Sequence, residues 1–216
     1  MHEIYTSFLK LLDQEDRQAC VELAISHLAA GEIGIVPLYQ QVLTPALREK
    51  INQHTGKPLS VWREHTRTSI IRTVIECCYP YVIREKSAQD SRGRVIIFCP
   101  LEELHEIGAR MAMDFFILCG FEAIFIGANT PRRDIIEAIE DALPDYVAIS
   151  VSNDYNLVAA RRTILQIIEV KEKERLKFRI IAGGTAFDSR PGLAREMGAE
   201  FLLQTFEDIK CFAEAC

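Results

Sequence analysis

Five short apolar runs between residues 94 and 204 constrain the fold more than any other feature of the sequence. The runs are RVIIFC, EAIFIG, YVAISV, FRIIAG and EFLLQ, and helical apolar spacing follows them at 104–119, 131–142, about 155–172, 190–197 and 206–215. Strands that alternate with helices form a parallel sheet, and runs this apolar are buried on both faces. We therefore predict an α/β fold with a five-stranded doubly wound parallel sheet.

The segment before these runs predicts helices only. Apolar residues recur there at helical spacing in four segments, with Gly31 suited to a helix end and Ser60 to a helix start. Pro45 is expected to bend the third helix, which runs from about 36 to 53. Four helices with short connections pack as an antiparallel bundle. The predicted domains are a helical bundle cap at 1–86, a polar linker at 87–93 and an α/β domain at 94–216.

Composition excludes several classes of function. The net charge is −6 and no run of basic residues occurs, so direct nucleic-acid binding has little electrostatic support. No apolar stretch reaches the roughly 18 residues of a membrane helix, and the N-terminus lacks the apolar region of a signal peptide. The seven cysteines are scattered, which indicates reduced thiols in a reducing compartment. We expect a cytoplasmic protein.

The loop after the first predicted strand contains a candidate metal ligand. His105 follows the run that ends at Pro100 and precedes the helical spacing that starts at Ile107. In open α/β sheets, ligands bind beside the loops at the carboxyl ends of the strands. A neutral imidazole there is a good ligand for a transition metal. Spacing alone favours a surface or hydrogen-bonding histidine over a metal ligand.

Residues 103–108, ELHEIG, resemble the Asp-x-His-x-x-Gly signature of cobalamin-binding domains. In that family the loop histidine ligates cobalt from below, and the acidic residue hydrogen-bonds the imidazole. The resemblance implies that His105 is the lower axial cobalt ligand, that Glu103 orients it, and that Gly108 is the signature glycine. A glutamate in place of the aspartate is similar to the light-responsive cobalamin regulators.

Three later loops resemble other parts of cobalamin-binding domains. Residues 127–131, GANTP, match a Gly-x-Asx-x-Pro turn near the corrin edge, and 150–152, SVS, match serines that line the channel for the nucleotide tail. A glycine pair at 183–184 matches the place where the nucleotide base is buried. The cofactor-binding residues implied here are Asn129, Thr130, Ser150, Ser152, Gly183, Gly184 and Thr185. The first loop has no Gly-x-Gly-x-x-Gly, which argues against a dinucleotide.

The start of the fourth predicted helix resembles the helical cap of light-sensing cobalamin repressors. Those caps carry a tryptophan, nine residues and then Glu-His, and Glu64 and His65 match the pair while Val61 matches an apolar position. These three residues share one helix face, which spacing alone would also allow as a solvated face. The resemblance implies that they contact the upper ligand of the cobalt. His54 occupies the tryptophan position and is a candidate upper cobalt ligand.

The resemblance implies a sensory function without a catalytic residue. Adenosylcobalamin is the expected form of the cofactor, with methylcobalamin or hydroxocobalamin as other forms. Light would break the cobalt–carbon bond, and the signal would reach a transcription regulator through a protein partner or a change of homo-oligomer. The alternative is a corrinoid protein that carries a methyl group for a methyltransferase partner. A cobalamin storage or delivery protein is a third hypothesis.

Overall fold

The computed structural model describes residues 1–52, 55–86 and 91–215. The chain divides into two compact units, Met1–Glu85 and Lys86–Cys216. The first is helical and the second contains a five-stranded parallel sheet. The predicted fold class, a helical region followed by an α/β sheet, is therefore confirmed. In the described part of the chain, no helix combines the length and the apolar character that crossing a membrane requires.

Four helices, one of them interrupted, form the first unit within the described residues. Their segments are α1 (His2–Asp13), α2 (Arg17–Ala29), α3 (Ile35–Leu38), α4 (Thr44–Arg48) and α5 (Val61–Glu85). The Asp16 carboxylate caps α2 by accepting a hydrogen bond from the backbone N–H of Ala19 at 2.9 Å. After α2 the chain turns at Gly31, whose φ of 70° is in the left-handed region.

The third predicted helix is interrupted and ends early. A π-helical turn, Tyr39–Leu43, joins α3 to α4. Pro45 explains this turn, because it has no N–H to donate and its ring would clash with the carbonyl four residues before it. The chain leaves the helix after Arg48 and forms a hairpin of β1 (Ile51–Asn52) and β2 (Lys57–Pro58). The expectation of helices only is wrong for this hairpin.

A buried ion pair connects α5 to the end of α1. Arg67 on α5 pairs with Asp13, and both side chains are almost fully buried. The side-chain amide of Asn52 donates to the backbone carbonyl of Asp13 at 3.4 Å, and the Arg67 guanidinium reaches the carbonyl of Glu49 at 3.5 Å. Two buried charges that satisfy each other in this way fix the position of α5, since separating them would leave each charge unpaired.

The second unit is an alternating β/α structure. Its strands are β3 (Arg94–Pro100), β4 (Glu122–Thr130), β5 (Tyr146–Ser150), β6 (Arg179–Gly183) and β7 (Phe201–Leu202). Its helices are α6 (Ile107–Leu118), α7 (Arg132–Ala142), α8 (Leu157–Lys173), α9 (Gly192–Glu196) and α10 (Phe206–Ala215). The strands are parallel, in the order β4-β3-β5-β6-β7. The connections after β3 and β5 therefore diverge, which is the geometry of a ligand-binding switch point.

Helix α6 is shorter at its start than the predicted helical segment 104–119. The structure starts the helix at Ile107, the first residue of the apolar spacing. Glu102 has a φ of 73°, which no helical residue adopts, and the N–H of Glu103 donates to the carbonyl of Pro100 at 3.0 Å in a tight turn. The segment 103–106 consequently lies in the loop, where hydrogen bonds to the loop after β5 place the side chain of Glu103.

The reactivity of the cysteines is expected to follow their burial. Burial raises the pKa of Cys20 and of Cys99 to about 12, whereas Cys211 is exposed. Because the thiolate is the reactive form, an alkylating reagent at mildly alkaline pH should modify Cys211 before Cys20 and Cys99 in the folded protein. Cys20 and Cys99 should react only after denaturation, as measured by peptide mass spectrometry. Equal labelling of Cys99 and Cys211 in the folded protein would contradict this expectation.

Candidate functional site

His105 presents one imidazole nitrogen at the carboxyl edge of the sheet. It lies between β3 and α6, and its side chain is 65% exposed. Its Nδ1 is 2.6 Å from Oε1 of Glu103, and the same oxygen accepts the backbone N–H of His105 at 3.0 Å. Because an ionised carboxylate only accepts hydrogen bonds, Nδ1 carries the proton. The Nε2 lone pair is therefore available to a ligand.

Glu103 is fully buried and joins two loops. Its Oε2 accepts the backbone N–H groups of Ser152 at 2.9 Å and Asn153 at 3.1 Å, both in the loop after β5. Burial by itself would raise the pKa of Glu103, but hydrogen bonds from the Asn156 side chain and from the amides of His105, Asn153 and Ser152 hold that pKa below its usual value. The group that faces His105 is thus a fixed carboxylate at neutral pH.

The last residues of β4 hold the His105 loop from its other side. The backbone N–H of Glu102 donates to Oδ1 of Asn129 at 2.8 Å, and the N–H of Asn129 donates to the carbonyl of Glu103 at 2.9 Å. Asn129 has a φ of 51°, a left-handed conformation that asparagine tolerates better than most residues. Asn129 therefore has a structural role in the site, and its predicted contact with a cofactor stays a prediction.

The three predicted glycines differ in what surrounds them. A Cβ on Gly183 would lie 2.7 Å from the carbonyl oxygen of Leu203, and one on Gly184 would lie 2.3 Å from that of Val151. Packing of the protein's own backbone therefore already requires both glycines. A Cβ on Gly108 would meet no atom within 4 Å. Its first-turn position on α6 leaves open space beside the His105 loop, which suits a group that approaches the backbone closely.

Most of the remaining residues of this unit that were predicted to bind the cofactor make contacts within the protein itself. The hydroxyl of Thr185 donates to the carbonyl of Ser152 at 3.0 Å, and that of Thr130 donates to the carbonyl of Gly127 at 3.1 Å. Ser150 is buried at the end of β5, in register with the first glycine of the pair on β6. The topology brings these loops to one edge of the sheet, and their contacts with a cofactor stay predictions.

A depression of about 480 Å³ opens beside the imidazole. His105, Ser152, Asn153, Asp154 and Tyr155 line it. No motif predicted Asn153, Tyr155 or Asn156, although polar residues directly after a buried strand are a usable signal. One exposed imidazole supplies a single coordination bond, which is what a metal already held by a macrocycle needs. The residues present therefore fit a corrinoid, whose cobalt His105 would hold.

The predicted cap residues lie on the first turns of α5. Val61 and His65 are exposed, and the carboxylate of Glu64 accepts a hydrogen bond from Nζ of Lys50 at 2.7 Å. The structure thus brings the three residues to one end of a helix, as their spacing predicts, and gives Glu64 a partner within its own unit. His54, the candidate upper ligand, lies outside the described residues. Contacts of these residues with a cofactor stay predictions.

Comparisons with known proteins identify the relatives of this chain. The family model described as B12 binding domain matches residues 93–209. Trimethylamine corrinoid protein 1 of Methanosarcina acetivorans is 24% identical over 75% of this chain and 70% of its own length. The structure of the Methanosarcina barkeri monomethylamine corrinoid protein has a TM-score of 0.80 at 17% identity, and covers 100% of this chain and 99% of that one. The methanol:cobalamin methyltransferase complex of the same organism has a TM-score of 0.50 at 14% identity, over 99% of this chain and 79% of that one.

These relatives overturn the predicted sensory function. They are named as corrinoid proteins of methylamines and as a methyltransferase complex, so the prediction of a light-responsive photoreceptor that regulates transcription is wrong. The residues that suggested a photoreceptor, Glu103 and Glu64, distinguish it poorly from a methyl carrier, for physical reasons. Glu103 holds the imidazole as an aspartate would, one methylene being the difference, and Glu64 is engaged by Lys50. The alternative of the sequence analysis is favoured instead.

The family match spans the part of the chain that contains the candidate site. Residues 93–209 include the His105 loop and all five strands of the parallel sheet, and amount to more than half of the chain. The match also confirms cobalamin as the expected cofactor. The chain belongs to the B12-binding domain family.

Proposed function

We propose that this protein carries a methyl group on a bound corrinoid, for a partner methyltransferase. Its relatives are named as corrinoid proteins of methylamines, and its fold resembles the monomethylamine corrinoid protein over the whole chain. The methanol:cobalamin methyltransferase complex supports the same kind of partner. Methylcobalamin, rather than adenosylcobalamin, is then the working form of the cofactor. A homo-oligomer remains a prediction.

The observation that carries the proposal is the pairing of His105 with a buried carboxylate. His105 would hold the cobalt, and a corrinoid bound there supplies a metal centre that accepts and releases methyl groups. Glu103 keeps the proton on Nδ1, so that Nε2 is the nitrogen free to coordinate. The open space at Gly108 allows a close approach to the first turn of α6. His105 would thus be the cobalt ligand and Glu103 would orient it. The methyl group would be carried by the cofactor.

The exposure of the imidazole fits a carrier. Its partner Glu103 is held by backbone amides of its own loop and of the loop after β5, so the pair is formed by the protein itself. A preformed ligand lowers the cost of binding the cofactor, because few groups have to be ordered. His105 remains accessible at the edge of the sheet, where a cofactor can meet both it and a partner enzyme.

Methyl transfer to the reduced holo-protein tests this function. The protein reconstituted with hydroxocobalamin and chemically reduced should consume methanol or a methylamine only when a methyltransferase for that substrate from Methanosarcina barkeri is added. The measurement is loss of the absorption of reduced cobalt, with free cobalamin as the control. Tight cofactor binding without any transfer above that of free cobalamin would favour the storage protein and reject the methyl carrier.

A further inference from the structure

Helix α8 has a buried face and an exposed face that is not simply polar. The buried face packs in the core of the second unit through four apolar residues, Leu157, Ala160, Ile164 and Ile167. On the other face, Val158 is 61% exposed and Leu165 is 52% exposed. Arg161 and Arg162 lie between them and are exposed as well. Spacings of three, four and seven residues place these four side chains on one side of the helix, which we call the α8 surface.

The two arginines of the α8 surface have no ion-pair partner among the residues that the structure describes. No aspartate or glutamate lies three or four residues from either of them, so the helix itself cannot supply one. The other end of α8 differs, because Lys171 contacts Glu200 at 3.3 Å and Lys173 contacts Glu174 at 2.9 Å. An acidic group from outside the chain can therefore pair with the arginines without breaking an existing contact.

The α8 surface begins beside the candidate site. Helix α8 follows β5, so its first turns lie at the carboxyl edge of the sheet. Tyr155, which lines the depression next to His105, comes three residues before Val158. Exposed apolar side chains together with arginine are typical of protein–protein interfaces. A protein bound to the α8 surface would therefore also border the depression beside the imidazole.

We propose that the α8 surface is a docking site for the partner methyltransferase, which would meet it with an apolar patch bordered by carboxylates. The inference rests on the proposed function, since a methyl carrier needs such a partner at the edge of its cofactor. A second copy of this chain fits less well. In a two-fold symmetric dimer the same patch meets itself, so the arginines of the two copies would face and repel each other.

The test is the kinetics of methyl transfer with the Methanosarcina barkeri methyltransferase that methylates the holo-protein, whose concentration is varied as the substrate. Arg161→Glu and Arg162→Glu reverse one charge each with a good helix former, so each should raise KM for the holo-protein at least about tenfold. The value of kcat should stay the same, because neither residue touches the cofactor. Leu165→Glu places a charge in the apolar contact and should also raise KM. Lys173→Glu makes the same charge change at the far end of α8 and should leave KM unaltered.

A binding measurement needs no turnover. On the same methyltransferase, immobilised for surface plasmon resonance, both arginine variants should associate more slowly than Lys173→Glu, and the salt dependence of association should decrease. Should a glutamate variant fail to fold, Arg161→Gln, which only removes the charge, decides.

Three results would contradict the proposal in different ways. Methyl transfer with equal KM in Arg161→Glu, Leu165→Glu and Lys173→Glu would overturn the docking site alone and leave the methyl carrier intact. Failure of every methyltransferase to methylate the natural holo-protein would reject the proposed function itself. Sedimentation of the holo-protein alone as a dimer that Arg161→Glu dissociates would assign the α8 surface to a second copy.

Discussion

Replacement of His105 by alanine is expected to weaken cobalamin binding more than about 100-fold. In protein whose histidines carry the heavy nitrogen isotope, it should also remove the doublet splitting from the electron paramagnetic resonance spectrum of the Co(II) form, a splitting that the cofactor's own base does not produce. Loss of a partner that merely hydrogen-bonds a metal ligand already costs roughly 10–100-fold, so loss of the ligand itself should exceed that range. The fold should be unaffected, because the imidazole is mostly exposed. Equilibrium dialysis and the spectrum measure the two effects.

His27 offers a matched control for this substitution. Its Nδ1 lies 2.5 Å from Oε2 of Glu32, so the chain contains a second histidine–glutamate pair of the same chemistry. That pair is in the helical unit, and its carboxylate is 59% exposed instead of buried. His27→Ala should change neither the affinity nor the spectrum. If the two alanine variants bind cobalamin equally well, His105 is not the ligand and the methyl-carrier proposal loses its site.

The parallel sheet and its first loop were predictable from local signals. Each apolar run is long enough for a strand and too apolar for one exposed face, and Pro100 marks the strand end just before His105. The pairing of the histidine with Glu103 was implied only by the resemblance, whose motif could include it because the two side chains belong to one loop.

The rest of the site depends on contacts between residues that are far apart in sequence, which the spacing of apolar residues does not predict. Glu103 meets the amides of Ser152 and Asn153, and Glu102 meets Asn156, across 49 to 54 residues of sequence. These contacts exist because β5 is the neighbour of β3 in the sheet, and an alternation of strands and helices does not fix strand order. A resemblance transfers only the residues that its motif contains, so it leaves such contacts out.

Two predictions have a similar limit. The assignment of the glycine pair at 183–184 to a ligand stays a prediction, because backbone atoms from neighbouring loops already exclude a side chain at both positions. The π-helical turn before Pro45 was predicted only as a bend, because a missing N–H can be accommodated by a kink or by a widened turn, and packing decides between them. Sequence indicates a constraint at these residues, and tertiary structure decides how it is met.

Glu103→Gln is expected to lower the free energy of unfolding of the cofactor-free protein by about 3 kcal/mol. The carboxylate accepts hydrogen bonds at both oxygens from backbone amides, and from Nδ1 of His105 at one of them. In glutamine, one of these oxygens becomes an NH₂ group, which faces donors and leaves them unsatisfied in a buried place. Urea denaturation measures the loss. Glu102→Gln, the same change at an exposed neighbour, should have little effect.

The effect of Glu103→Gln should also depend on pH, with a sign that follows from the lowered pKa of Glu103. The unfolded chain binds a proton near the ordinary value of 4.5, whereas the folded protein binds it only at lower pH. The contribution of Glu103 to stability is therefore complete above pH 4.5 and is lost as the pH falls through the lowered pKa. The gap between the natural protein and Glu103→Gln should be widest at neutral pH and should narrow in acid. A gap that stayed constant into the acid range would show that the variant is destabilised by altered packing and that ionisation of Glu103 does not hold the His105 loop.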